Sequence, residues 1–450
     1  MPIKAKSHAI TLLSNVTCPH CWHEYAPEDS LWISEHPDLI GDAKLGFQHA
    51  KRFLPSRFNP QGDAIDEMGQ DATRMACPKC HLHVPRSMNQ VPSLFFSIFG
   101  APACGKSYFL TSMSWMLRQT LPKRFAVSLS DVDAETNSRI HEYEELQFMN
   151  PDLDSPVALA KTEEQGDLYD TVDMGDHSVS FPRPFMFNLQ PLSSHPRYKR
   201  NREISKLICL YDNAGESFFP GADKTINPVT RHLACSKCLF FCFDPTQDTR
   251  FRRACEGKSE DPQMVSRTAR LAREATIRQD TILLEAIQRV RRHAGLRDDE
   301  LHQRPLVIIV TKWDSWKELL PDVPTDEPYL PIEGSKFCTL DSARIKHASD
   351  RVGELMSDIC PEIVAAAEGF STSLTFIPVS ATGSSPVVDS ESGSLGIRPR
   401  DMQPYWVEIP MLMALHNWAG GLVGATDQLG GSDSGMSLED GRWMAEKLGS

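Results

Sequence analysis

An apolar run, Ser93-Leu94-Phe95-Phe96-Ser97-Ile98-Phe99, passes directly into Gly100-Ala101-Pro102-Ala103-Cys104-Gly105-Lys106-Ser107 and then into Tyr108-Phe109-Leu110-Thr111-Ser112-Met113. The first part reads as a strand buried on both faces, and the last as the opening of a helix. Between them stands G-x-x-x-x-G-K-S, a phosphate-binding loop. Its glycines let the backbone wrap closely around an anion, so that successive N–H groups and the helix N-terminus point at phosphate oxygens. The loop from Gly100 through Ala103, Cys104 and Gly105 to Tyr108 is therefore expected to cradle phosphates. Lys106 is placed between the β- and γ-phosphates, and the Ser107 hydroxyl on Mg²⁺. Cys104 falls among the four free positions of the pattern and is read as an unconstrained loop residue rather than a redox gate.

A chain of 450 residues, 40% hydrophobic and 24% charged, has room for two or three domains. Its formal net charge of −13 argues against a general nucleic-acid or anionic-membrane surface. No apolar run approaches the roughly 18 residues that span a bilayer. The start, Met1-Pro2-Ile3-Lys4-Ala5-Lys6, lacks a signal-peptide core, so a cytoplasmic location is expected. Twelve cysteines in such a chain fit reduced thiols and metal ligands better than disulfides.

Four of those cysteines form a pattern. Thr17-Cys18-Pro19-His20-Cys21 and Ala76-Cys77-Pro78-Lys79-Cys80 are paired C-P-x-C knuckles. Each holds two thiolates on a tight turn, so Cys18, Cys21, Cys77 and Cys80 complete a tetrahedral Zn²⁺ site. The 55 residues between Cys21 and Cys77 imply an insertion between the two halves. His20, His23, His81 and His83 are bystanders, since four cysteines already saturate the metal. Residues 1–90 carry nine Lys and Arg against ten Asp and Glu, which leaves no electrostatic footprint for nucleic acid. A third C-x-x-C, Cys235-Ser236-Lys237-Cys238, has no partner knuckle and is read as structural.

Further along, Phe125-Ala126-Val127-Ser128-Leu129 reads as a strand, with a weak helix at 139–148. An acidic stretch up to His177 is where a nucleotide switch keeps its first mobile segment, and it must supply a Mg²⁺-binding threonine. Thr162 is preferred over Thr171. Phe185-Met186-Phe187-Asn188-Leu189-Gln190, flanked by prolines, reads as an edge strand. Lys206-Leu207-Ile208-Cys209-Leu210-Tyr211 then ends in Asp212-Asn213-Ala214-Gly215, a D-x-x-G motif. Asp212 would hold a Mg²⁺-bound water and the Gly215 N–H would meet the γ-phosphate. The stripe Ile277, Leu283, Leu284, Ile287 and Val290 marks an amphipathic helix, with Arg278, Arg289, Arg291 and Arg292 on a solvated face.

Leu306-Val307-Ile308-Ile309-Val310 is a buried strand followed at once by Thr311-Lys312-Trp313-Asp314. In T-K-x-D the aspartate accepts the ring N–H and exocyclic amine of guanine, a donor pair that adenine lacks. The Lys312 stem would cover the base. Phe376-Ile377-Pro378-Val379 leads to Ser380-Ala381-Thr382-Gly383, whose backbone can read the guanine O6. Residues 384–396 read as a Ser/Gly-rich linker, 404–422 as a closing helix, and the tail from 424 as disordered.

In this order, each at a strand's C-terminal end, the motifs of residues 93–383 resemble those of a P-loop GTPase of the translation-factor/Ras-like (TRAFAC) class. The resemblance implies an α/β fold with a doubly wound, mostly parallel sheet, set after a small zinc-ribbon domain. The expected division is 1–91, 92–423 and a tail at 424–450. Longer spacings from Lys106 to Asp212, Asp314 and Ser380 than in a minimal Ras-like domain imply insertions. The knuckle pair ahead of such a domain resembles the bacterial double-GTPase family, which implies a multi-protein system with a second GTPase as protein partner. Where Ras-like enzymes carry a water-orienting glutamine, this chain has Glu216, so slow GTP hydrolysis is expected. The alternatives are a GTP-binding scaffold that hydrolyses little, and a nucleic-acid-dependent NTPase guided by the ribbon.

Overall fold

The computed structural model describes residues 12–133, 135–159, 169–175, 177–212, 215–219, 230–265, 277–388 and 395–426. Its centre is a seven-stranded sheet built from β1 (Ser93–Gly100), β2 (Val127–Asp131), β3 (Phe185–Pro191), β4 (Lys206–Asp212), β5 (Cys238–Phe243), β6 (Leu306–Val310) and β7 (Leu374–Pro378). The order across the sheet is β2-β3-β4-β1-β5-β6-β7. The pairs from β4 to β7 are all parallel, while β3 runs antiparallel to both β2 and β4. β4, β5 and β6 are buried at every position, which is why they read as unbroken apolar runs.

β1 lies between β4 and β5, so the chain leaves it towards one side of the sheet first and the other later. The C-terminal ends of β1, β4, β5, β6 and β7 share one rim, where such a reversal opens a crevice. The helices α1 (Lys106–Thr120), α2 (Ser138–Phe148), α3 (Gln279–Ala294), α4 (Ser342–Ile359), α5 (Pro361–Glu368) and α6 (Ile409–Trp418) complete the main layer structure.

Three expectations need correction. β3 is an interior strand, not an edge, because its prolines sit at the ends and leave Phe187, Asn188 and Leu189 free to pair on both sides. Arg289 is 1% exposed, whereas Leu284 faces solvent, so the apolar face of α3 is rotated from the expected stripe. The Ser/Gly-rich stretch is not a bare linker, since Val387–Val388 pairs with Leu395–Gly396.

Alternation along β4 divides the core. Ile208 and Leu210 join the large cluster with α1 and α6, while Leu207, Cys209 and Tyr211 point into a second cluster. That second cluster contains Cys18, Cys21, Trp22, Cys77, Cys80 and Met88, together with Val172, Val179 and Phe181 of the hairpin Tyr169–Asp173 and Ser178–Pro182. The N-terminal cysteine module thus covers one face of β3, β4 and β1. Its own sheet runs His83–Val84, Met75–Ala76, Leu31–Ile33, Arg52–Phe53. No helix among the described residues is long and apolar enough to cross a membrane.

Candidate functional site

Each cysteine knuckle is the turn of a short hairpin, Val16–Thr17 with Glu24–Tyr25 and Met75–Ala76 with His83–Val84. The two turns repeat one geometry. Trp22 and His81, each directly after the second cysteine, have φ of 55° and 63°. The N–H groups of His20 and Lys79 donate to Cys18 Sγ and Cys77 Sγ at 3.4 and 3.3 Å. All four sulfurs lie within 4.8 Å of one another. Cys18 to Cys80 and Cys21 to Cys77 are both 3.7 Å. Four thiolates about 2.3 Å from a tetrahedral Zn²⁺ stand roughly 3.8 Å apart, so the cluster fits that ion. The histidines are engaged elsewhere: His20 Nε2 with the His83 carbonyl, and His81 Nδ1 with Asp42. Cys238 of the third C-x-x-C is the fully buried first residue of β5.

At the sheet rim, the loop after β1 closes on itself. Ala103 and Gly105 have φ of 57° and 91°. A side chain at Gly100 would meet the Cys242 carbonyl at 2.5 Å, so glycine is required where the loop leaves the strand. The Lys106 ammonium donates to the carbonyls of Gly100 and Ala101 at 3.2 and 3.0 Å. Cys104 is buried against Cys242 of β5. Thr311 donates to the Cys104 carbonyl at 3.3 Å, tying the T-K-x-D segment to the loop after β1.

Ser107 Oγ donates to Asp212 Oδ2 at 3.3 Å across the β1–β4 gap. The other oxygen, Oδ1, is buried with no hydrogen-bond partner among the described residues. Burial pushes the Asp212 carboxyl up to about 6, against the pull of Lys106 and Ser107. A hydroxyl and an orphaned carboxylate oxygen are hard donors of the kind Mg²⁺ takes, so this pair fits the ion. Gly215 lies against the phosphate loop: a Cβ there would meet Pro102 N at 2.4 Å. The turn after it is fixed by Arg289, whose guanidinium donates to the carbonyls of Ser217 and Phe219 and lies 5.5 Å over the Phe218 ring.

At the other end, Lys312 has φ of 57° and its ammonium meets Asp244 at 2.7 Å, Thr246 at 3.0 Å and Gln263 at 2.7 Å. Asp314 accepts hydrogen bonds from Ser380 Oγ and, at 3.3 Å, from Ser385 Oγ. The Ala381 carbonyl accepts from Ser112 of α1 at 2.7 Å. One cavity of about 330 Å³ is lined by residues 102–109, Gly215, Thr311, Lys312, Asp314 and Ala381, a volume ordinary for a small-molecule site.

Two chain segments missed in the sequence roof this cavity. Val157 and Ile397 exchange backbone hydrogen bonds at 2.9 Å, and Tyr108 Oη accepts from the Leu159 N–H at 3.0 Å. Gly396 permits the contact, since a Cβ would stand 2.9 Å from Pro156 Cβ. Asp261 and Gln263 also line it and belong to no motif. Thr162 lies outside the described residues, as does the Glu216 side chain. Thr171 lies in the hairpin on the cysteine module, its hydroxyl 3.4 Å from Ser180, and does not line the cavity.

No family model matches the chain, and no curated protein matches it. Among solved structures, sup35 complexed with GDP is 13% identical, over 66% of this chain and 39% of that one, at a TM-score of 0.21. Sup35 complexed with GMPPNP is 11% identical over 65% and 38%, also at 0.21. The SRb-GTP/SRX complex of the signal recognition particle receptor from Chaetomium thermophilum is 11% identical over 65% and 95%, at 0.22. This chain spans about two-fifths of the length of the sup35 chains. At such TM-scores these likenesses carry no weight for the function of this chain.

Proposed function

We propose that the chain binds a guanine nucleotide with Mg²⁺ and hydrolyses GTP slowly, as a molecular switch. The observation that carries this reading is the convergence of Lys106, Gly215, Lys312, Asp314 and Ala381 on one cavity. They come from strand ends far apart in sequence. The loop amides and Lys106 would hold the phosphates, and Ser107 and Asp212 would hold Mg²⁺, which when bound neutralises charge on the phosphoryl oxygens. Asp314, oriented by Ser380 and Ser385, would accept the two guanine donors.

Thr162, three residues after the cavity-lining Leu159 in the sequence, is proposed as the switch threonine. Glu216 is proposed to slow hydrolysis, because a carboxylate beside the γ-phosphate repels it. Zn²⁺ at Cys18, Cys21, Cys77 and Cys80 is proposed as structural. A protein partner, a second GTPase in the double-GTPase reading, would meet the insertion between the knuckles, where Ile40, Phe47 and Leu54 stand exposed.

Asp314→Asn tests the base-reading assignment. Competition between GDP and XDP should move towards the xanthine nucleotide, because the amide donates where the carboxylate accepted. Unchanged guanine preference would overturn it.

A further inference from the structure

Asp261 is 1% exposed, lines the cavity, and was singled out by no motif. Its Oδ1 accepts the Gln263 N–H at 2.7 Å, which caps the short helix Pro262–Val265. Capping accounts for one oxygen. The other, Oδ2, is buried with no hydrogen-bond partner among the described residues. Leaving a buried carboxylate oxygen unpaired costs more than a single good hydrogen bond returns, so such an atom needs a donor that arrives with something else.

Its position says which donor. Gln263 Oε1 holds the Lys312 ammonium, which also sits on Asp244 at the end of β5. The 261–263 turn therefore flanks the head of Lys312 and lines the same cavity as Cys104 and Asp314. A nucleotide laid from Lys106 to Asp314 would bring its sugar within reach of this part of the cavity wall. Lys312, which flanks this turn, is already shared among Asp244, Thr246 and Gln263, so Asp261 keeps acceptor capacity.

We propose that Asp261 is a second nucleoside-reading carboxylate, accepting a hydrogen bond from a sugar hydroxyl of the bound nucleotide. This rests on the guanine-nucleotide reading and adds a specificity element to it: selection of the hydroxylated sugar. Burial also holds the Asp261 carboxyl up at about 6, the state expected of a desolvated acceptor without its donor.

The test is calorimetric titration of the full-length, zinc- and magnesium-replete protein with GDP, 2′,3′-dideoxy-GDP and IDP, for the unsubstituted chain, Asp261→Asn and Asp261→Ala. The unsubstituted chain should bind GDP about tenfold more tightly than dideoxy-GDP, Asp261→Ala should bind the two alike, and Asp261→Asn, whose neutral amide can still bond a hydroxyl, should keep part of the preference. Thermal melts show whether each variant is folded, and Asp261→Asn conserves the shape of the side chain. Equal affinity of Asp261→Ala and the unsubstituted chain for GDP overturns the proposal, as does undiminished sugar discrimination in Asp261→Ala. A variant effect that vanishes with IDP instead places the contact on the base amine and overturns the sugar assignment. Failure of the unsubstituted chain to bind GDP at all overturns the nucleotide reading itself, and is seen before any variant is compared.

Discussion

The hydroxyl of Tyr211 donates a hydrogen bond to the carbonyl of Pro19, inside the first cysteine knuckle, and accepts one from Trp22 Nε1 at 3.1 Å. Tyr211 immediately precedes Asp212. Because neighbouring strand residues face opposite ways, one peptide step separates a contact with the cysteine knuckle from the Asp212 carboxylate at the sheet rim. His232 stacks on the same tyrosine, with ring centroids 4.6 Å apart, and joins Ser97 of β1 at 2.6 Å.

Tyr211→Phe removes the hydroxyl and leaves the Pro19 carbonyl and the Trp22 indole N–H buried without partners. The expected loss is about 1–3 kcal/mol of stability. Denaturant unfolding measures it, and zinc content should be unchanged because the four thiolates are intact. A variant as stable as the unsubstituted chain would show that the module does not depend on this contact.

Arg289→Met should destabilise by about 3 kcal/mol or more, since it strips a buried guanidinium from Glu285 and from two backbone carbonyls. Arg289→Lys should rescue poorly, because a single ammonium cannot replace a planar fork that serves three acceptors. Limited proteolysis should find the 215–219 turn opened in both variants. Protection equal to that of the unsubstituted chain would remove Arg289 as the fixture of this turn.

Burial lowers His232 to about 3 in the fold, with a further push from His293. The unfolded chain binds this proton near the ordinary value of 6.5, so acid favours unfolding. The contribution is complete above pH 6.5 and falls away as pH drops towards 3. Acid also strips Zn²⁺ from thiolates, so the readout is the difference in melting temperature between the unsubstituted chain and His232→Asn. That difference should shrink from about pH 7 to about pH 4.5. A constant gap would contradict a neutral, buried His232.

The rim motifs after β1, β4 and β6 were legible because those strands are buried almost throughout, and such strands leave long apolar runs in the sequence. The cysteine cluster was legible because two C-P-x-C knuckles occur as a pair, where the unpaired C-x-x-C at 235–238 is structural. The interior place of β3 was hidden, since prolines at strand ends say nothing about the residues between them. Arg289 was misplaced because its long stem lets an arginine enter a core when carbonyls await its head, which periodicity does not register. The 395–397 segment and Asp261 enter the site only through tertiary contacts. Neither carries a local pattern.

The docking of the cysteine module against β3, β4 and β1 bears on anyone who would divide this chain. A fragment starting at Ser93 would turn Phe95, Met186, Leu207, Cys209 and Tyr211 outward as one greasy plane. Such a piece would clump before its catalytic competence could be judged. If the four cysteines hold Zn²⁺ as proposed, a chelator would by the same reasoning loosen the cover of this sheet face rather than trim an ornament from its edge.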